Sequence, residues 1–181
     1  MRIIAGEAGG RRLKSIKTNQ VRPTLDRVKE AIFNIIINNI YGSRGLDLFA
    51  GFGGLGLEAM SRGAEFIEFV EKKYKHIEII KKNIEICGFT EKTRIHKRDV
   101  FDFLEETIGI NYDLIFMDPP YGKNYIDKSL ALIENNGLLA QDGLIIIEHH
   151  KKDNIKKTKE FKLIKDRNYG DTVIKIYKSG R

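Results

Sequence analysis

The sequence predicts an α/β fold: a Rossmann-like, doubly wound sheet of seven strands, mostly parallel, closed by an antiparallel C-terminal hairpin. Three observations predict it. After Gly42, short apolar runs alternate with amphipathic stretches of helical period, the pattern of strand–helix–strand units. A glycine-rich turn, Gly51-Phe52-Gly53-Gly54-Leu55-Gly56, stands where the first such strand gives way to a helix. Past residue 160 the alternation stops, and two strand-like runs flank one turn. At 181 residues the chain is about one domain long, with residues 1–40 as an N-terminal extension and 41–181 as the core.

Each element follows from its residues. Arg2 to Ala5 and Arg11 to Ile16 read as strands of a β-hairpin around Gly6-Glu7-Ala8-Gly9-Gly10. Leu25, Val28, Ile32, Ile35 and Ile36 recur at three- and four-residue steps up to Asn39, predicting an amphipathic helix of about four turns with Thr24 as its cap. Strands are expected at Leu46–Ala50, Phe66–Val70, Arg94–Lys97, Tyr112–Met117 and Leu144–Ile147. Helices are expected over Leu55–Ser61, along the Ile77, Ile80, Ile84 and Cys87 stripe, over Phe103–Ile108, and along the Ile126, Leu130 and Ile133 stripe; Gly63, Gly88 and Asn136-Gly137 end three of them. Phe161–Lys165 and Thr172–Tyr177 form the closing hairpin, and Lys151–Lys159 reads as a loop or a short helix.

Composition narrows the function. The apolar runs are far too short to span a bilayer, and Glu7 precedes any apolar core of a secretory signal, so a cytoplasmic protein is expected. The single cysteine, Cys87, excludes an internal disulfide or a cysteine metal cluster and reads as a small buried hydrophobe. His76, His96, His149 and His150 have no metal-site spacing. Residues 1–30 hold eight basic against three acidic side chains, residues 31–150 thirteen against eighteen, and residues 151–181 eleven against four. Basic ends around an acidic body suggest a polyanion held by the terminal elements.

Two constellations carry chemistry. In Asp47-Leu48-Phe49-Ala50-Gly51-Phe52-Gly53-Gly54-Leu55-Gly56, the glycines let a ligand approach bare amides at a helix N-terminus. Glu71 ends the next strand, where a carboxylate accepts the hydroxyls of a ribose. This is an adenosine-ligand site, and on this segment alone the ligand could be NAD. The second constellation is Asp118-Pro119-Pro120-Tyr121, directly after a strand. Paired prolines remove two donors and stiffen the backbone, leaving carbonyl oxygens and a carboxylate as acceptors. Acceptors alone suit a group that only donates, the exocyclic amine of a base, on which Tyr121 can lie flat.

These two segments together resemble the S-adenosylmethionine-dependent amino-methyltransferases. Arg2-Ile3-Ile4-Ala5-Gly6, Arg22-Pro23-Thr24-Leu25-Asp26-Arg27-Val28-Lys29-Glu30-Ala31-Ile32-Phe33-Asn34, Gly56-Leu57-Glu58-Ala59 and Ser61-Arg62-Gly63-Ala64 narrow the resemblance. They resemble the bacterial 16S ribosomal RNA guanine-N2 methyltransferases of the RsmD type, which modify the guanine at nucleotide 966 of small-subunit RNA. The resemblance runs from residue 2 to the final hairpin, including Tyr169-Gly170-Asp171-Thr172. Phe52 departs from it, standing where the family usually has a small residue, often Ser or Thr.

The resemblance implies a class I methyltransferase fold with S-adenosyl-L-methionine over the carboxyl ends of the first strands. Backbone around Phe49, Ala50, Gly51 and Gly53 would hold its methionine part, Glu71 its ribose, and Asp99 with Val100 its adenine; Asp47 and Gly56 would also belong to the cofactor site, and Thr24 and Arg27 match positions near its carboxylate. Asp118, Pro119, Pro120 and Tyr121 would be catalytic, and Arg2, Arg11, Arg12, Lys14 and Arg22 would face RNA. The implied partner is 16S ribosomal RNA in the small subunit or an assembly intermediate, met by a monomer without metal or membrane. D-P-P-Y is shared with DNA adenine methyltransferases, so an amino-methyltransferase acting on DNA or another RNA base stays open. An NAD-binding oxidoreductase and a non-catalytic RNA-binding factor are the more distant alternatives.

Overall fold

A computed structural model of the chain describes residues 1–16, 26–120, 124–156 and 158–180. Its helices and strands, in chain order, are α1 (Asp26–Ile35), β1 (Arg44–Leu48), α2 (Gly54–Ser61), β2 (Phe66–Glu71), α3 (Tyr74–Cys87), β3 (Thr93–Lys97), α4 (Val100–Glu106), β4 (Tyr112–Met117), α5 (Tyr125–Asn135), β5 (Leu139–His150), β6 (Phe161–Tyr169) and β7 (Thr172–Ser179). The seven strands form one sheet in the order β3-β2-β1-β4-β5-β7-β6. β1 to β5 pair in parallel, and β7 is antiparallel to both neighbours, so β6 runs in the direction of β5. The chain reverses between β1 and β4, the switch point at which doubly wound sheets open a crevice at their carboxyl edge.

Alternation along the strands divides the core into two layers. Ile67, Phe69, Leu114, Phe116, Leu144, Ile146, Ile174 and Ile176 face α1, α2, α3 and the N-terminal segment. Leu46, Leu48, Val70, Ile115, Met117, Ile145, Ile147 and Tyr177 face α4 and α5. Cys87 is buried in the first layer, where desolvation pushes its thiol up.

Several expectations change. The N-terminal hairpin is a single antiparallel bridge, Arg2 to Arg12, not two strands. Ile3, Gly10 and Leu13 donate across the hairpin to the Arg11, Ile3 and Met1 carbonyls, but the other amides are taken elsewhere: Ile4 and Ala5 donate to the Glu58 carboxylate, Ala8 to Ser61 Oγ and Lys14 to Asn83 Oδ1. Side chains of α2 and α3 thus keep the strand ladder from extending. The first helix is α-helical only to Ile35, and Ile37–Asn39 continue as a tighter 3-10 turn. Its predicted cap Thr24, and Leu25, lie outside the described residues, as do Arg22 and Tyr121. α4 begins at Val100 because the Asp99 carboxylate caps it, accepting from the Phe101 amide at 2.9 Å; Ile108 lies beyond its end and is exposed. β5 starts at Leu139, with a register shift across the polar stretch that hid its first half. β6 and β7 run up to Tyr169 and from Thr172, so the hairpin turn is Gly170-Asp171. Among the described residues of 151–159 there is no helix.

Candidate active site

The register places the site. Leu48 pairs with Val70 and with Met117, and Met117 pairs with Ile147. The residues one step further, Phe49, Glu71, Asp118 and Glu148, therefore form a row along the carboxyl edge. By alternation Glu71, Asp118 and Glu148 project to the α1–α3 face, as does Asp47 two residues short of the edge of β1.

Phe49 breaks the alternation. Its φ of 59° is in the left-handed region, which costs a non-glycine residue of order 1–3 kcal/mol and marks functional sites. The turn swings its ring to the opposite layer, where it stacks on Tyr125 at 5.7 Å and meets the edge of Phe101 at 6.3 Å. The glycine turn then closes through the Gly53 amide on the Ala50 carbonyl at 2.7 Å. Gly51 and Gly53 take φ values of 56° and 80°, and Gly53 starts α2. The first-turn amides of Gly54 and Leu55 find no acceptor among the described residues, which leaves a helix N-terminus open to an anionic ligand.

Two residues of the fingerprint serve the scaffold. A side chain on Gly56 would bring its Cβ within 2.4 Å of the Phe69 ring, so this glycine lets α2 lie close on β2. Its amide donates to Asp47 Oδ2 at 2.9 Å, and Asp47 is buried beneath the turn rather than facing the crevice. Burial pushes the Asp47 carboxyl up to about 8, against the pull of the Gly56 amide and with the repulsion of Glu71. The native state then keeps a proton that the unfolded chain sheds near its ordinary value of 3.8, so stability falls as pH rises from about 4 to about 8. Asp47→Asn keeps an acceptor for Gly56 without the charge. Its Tm relative to the unaltered chain is expected to rise across that window and to level off above it; parallel Tm–pH curves would contradict this.

Glu71 is held inward. Its carboxylate accepts from the amides of Gly51 at 3.1 Å and Lys73 at 2.9 Å, and His76 Nδ1 lies 3.2 Å from Oε2. With three of about four lone-pair positions engaged, room remains for about one more donor. Phe52, the residue that departs from the family pattern, sets its ring edge-on to His76 at 5.1 Å and so backs that contact. Asp99 both caps α4 and pairs with Lys72 at 3.0 Å, which together hold its carboxyl below the ordinary range despite partial desolvation. Asp118 sits at the end of β4, with Pro119 and Pro120 beside a groove that Asn124, Tyr125, Lys152 and Asn154 also line. Burial first, then the charges of Glu148 and Asp47, push the Asp118 carboxyl well above the ordinary range.

The basic residues assigned to RNA diverge from this row. Arg2 pairs with Asp26 at the start of α1, and Arg11 donates to the Ile86 carbonyl at the end of α3. Arg12 and Lys14 are exposed, on the outside of the α1–α3 layer. Arg27 is exposed on α1.

Three residues of the site escape sequence reasoning. Glu148 stands out in the sequence only as the residue after a buried run; that it and Asp118 are each the first polar residue after the apolar run of a central strand is the available signal. Asn83 is fully buried and bridges the glycine turn to the N-terminal segment, donating to the Phe52 and Lys14 carbonyls and accepting from the Lys14 amide. An asparagine among the apolar positions of α3 is its signal. His76 has none, because its contact with Glu71 depends on how α3 leaves β2.

The family model described as Conserved hypothetical protein 95 matches residues 1–178. YlbH of Bacillus subtilis is 38% identical, with 98% of each chain covered. A Haemophilus influenzae protein named Ribosomal RNA small subunit methyltransferase D is 33% identical over 99% of this chain and 94% of its own. The chain belongs to this RsmD-type family. The solved structure of yhhF from Escherichia coli superposes with a TM-score of 0.89 at 30% identity, covering 99% of this chain and 97% of that one. The Rossmann-like methyltransferase fold of the family is therefore the fold of this chain.

Proposed function

We propose that the protein transfers a methyl group from S-adenosyl-L-methionine to the N2 amine of a guanine in small-subunit ribosomal RNA, by family resemblance the one at nucleotide 966. The observation that carries the reading is the row at the carboxyl edge: a glycine turn with open amides, Glu71 on the adjacent strand, and Asp118 backed by two prolines. Membership of a family that includes the H. influenzae rRNA methyltransferase supports the substrate class.

The residues fit the cofactor. The α2 amides suit its carboxylate end, Glu71 has room for a ribose hydroxyl, and Asp99 with Val100 borders the place for adenine, near Phe101. When bound, the cofactor supplies an electrophilic methyl on a sulfonium.

The chain supplies positioning and acceptors. The guanine amine is a weak nucleophile because its lone pair is delocalised into the ring. The Asp118 carboxylate and the Pro119 carbonyl accept hydrogen bonds from its two N–H groups, which favours a pyramidal nitrogen with its lone pair aimed at the methyl. Pro120 stiffens the turn, and Tyr121, outside the described residues, stacks on the base. Holding the base in this geometry can supply about 7–11 kcal/mol, and preorganised acceptors match the charge developing on nitrogen. The amine proton becomes acidic once the methyl has moved, so it passes to the Asp118 carboxylate or to solvent and no strong base is needed. The base leaves its stack to reach Asp118.

Labelled methyl is expected to pass from the cofactor to RNA in small subunits that lack the modification. No label, with cofactor binding demonstrated, would overturn the substrate. The reading also fixes a pH dependence. The ionised Asp118 is the acceptor, so transfer falls as pH drops through its raised titration. Glu148→Gln removes a neighbouring negative charge, lowers that titration and shifts the acid limb of kcat to lower pH. An unmoved limb would separate Glu148 from the site.

A further inference from the structure

The proposed reaction makes no use of the basic C-terminal segment, residues 151–181. Of its cations, Lys151, Lys175 and Lys178 are committed to Asp171, Asp166 and Asp142. Lys162, Lys165 and Arg167 are not: all three are exposed and make no ion pair with a carboxylate among the described residues.

Their placement is ordered by the sheet. Lys162 is opposite Lys178, Lys165 opposite Ile176, and Arg167 opposite Ile174. Directly opposed antiparallel residues share a face. Ile174 and Ile176 face the α1–α3 layer, so the three cations project to that face in line along β6. Ile164 is the bulged residue between Leu163 and Lys165, and it keeps Lys165 in this line. Asp166 falls on the opposite face, bound to Lys175. Along β6, Lys162 to Asn168 are exposed throughout, so no helix among the described residues covers this strand on either face. The result is an open ledge of three parallel cations. Its Arg167 end lies toward the carboxyl edge, on the face to which Asp118 projects.

We propose that this ledge is a second contact for the phosphate backbone of the RNA substrate, on the side of the sheet remote from β3. It rests on the reading that the substrate is ribosomal RNA. Backbone phosphates are the partner that such a surface fits: among the described residues the cations have no carboxylate partner, and they are evenly disposed opposite Lys178, Ile176 and Ile174. The competing explanation is edge protection, since lysines on an edge strand discourage pairing with another chain. The two differ in whether the sign of the charge matters. Glutamate protects an edge as well as lysine, but it repels phosphate.

The test is a triple reversal, Lys162→Glu with Lys165→Glu and Arg167→Glu, in the full chain. A matched reversal of exposed cations near the β3 end of the sheet, Lys75→Glu with Lys82→Glu and Lys92→Glu, controls for net charge. Binding to unmodified small ribosomal subunits is measured over a range of KCl, with cofactor affinity and Tm alongside. The ledge variant is expected to bind at least about tenfold more weakly than the control variant. Its dependence of log K on log salt is expected to be shallower by about 2, near 0.7 for each single-strand phosphate that the ledge no longer neutralises. Cofactor affinity and Tm should match the unaltered chain. Should the reversal unfold, Lys162→Gln with Lys165→Gln and Arg167→Gln reads the same slope with a smaller perturbation. Equal affinity and slope for the ledge and control variants, with the unaltered chain binding normally, would overturn the ledge and leave the methyltransferase reading standing. Failure of the unaltered chain to bind subunits at all would overturn both.

Discussion

Asp118→Ala is expected to lower methyl transfer by at least roughly 10²–10³-fold, the penalty for removing one preorganised group at a developing charge. Cofactor affinity should stay close to that of the unaltered chain, because the glycine turn and Glu71 are on other strands. The variant should also be no less stable. Asp118 is crowded by Glu148 and Asp47, and its carboxyl is held well above the ordinary range, so ionising it in the fold is unfavourable. Deleting it removes that repulsion, and Tm at neutral pH should hold or rise. Loss of activity with retained Tm and cofactor binding identifies a chemical role. Substantial residual transfer would remove Asp118 from the reaction.

Glu58→Ala is expected to carry the largest cost in stability. Glu58 is fully buried on α2 and accepts from the amides of Ile4 at 2.7 Å and Ala5 at 3.1 Å. It pairs with Lys29 at 3.2 Å and with Arg62 at 2.8 Å, and the Lys29 and Glu58 side chains are only 2% and 0% exposed. Lys29 also donates to the Arg2 carbonyl. One carboxylate thus fastens the N-terminal segment and α1 to the helix that carries the glycine turn. Its removal strands a buried ammonium and two amides, a loss of about 3–5 kcal/mol. For a chain this long that lowers Tm by roughly 6–20 °C. Lys29→Met with Glu58→Met should recover much of it, since an apolar pair replaces a buried ion pair at little net cost. A Tm for Glu58→Ala within about 2 °C of the parent, less than 1 kcal/mol at this size, would contradict the account.

Much of the fold is legible in the sequence where one local rule decides the outcome. Tyr112–Met117 is a strand because an apolar run ends against Asp118-Pro119-Pro120, and its bounds agree with those expected. The seven strands and their closing hairpin come from alternation. What escapes depends on partners distant in sequence. Arg2–Ala5 has strand-like residues, but the Ile4 and Ala5 amides are claimed by Glu58, more than fifty positions away. The first half of β5 is polar and pairs only through a register shift. In the site, Gly51, Gly53 and Glu71 come together as expected, whereas Asp47 and Gly56, expected as ligand groups, brace each other. A fingerprint fixes which backbone turns, not which of its residues face the crevice. Glu148 and Asn83 are only faintly marked in the sequence, because strand pairing brings the first to the site and the packing of α3 under the glycine turn brings the second.

The most direct test of the central claim is the identity of the methylated nucleoside. Small subunits lacking the modification are incubated with the protein and S-adenosyl-L-methionine, and their RNA is digested and mapped by mass spectrometry. N2-methylguanosine is expected at one small-subunit position, and its absence is expected when Asp118→Ala is used. Methyl on an adenine, or on guanines scattered along the RNA, would contradict it.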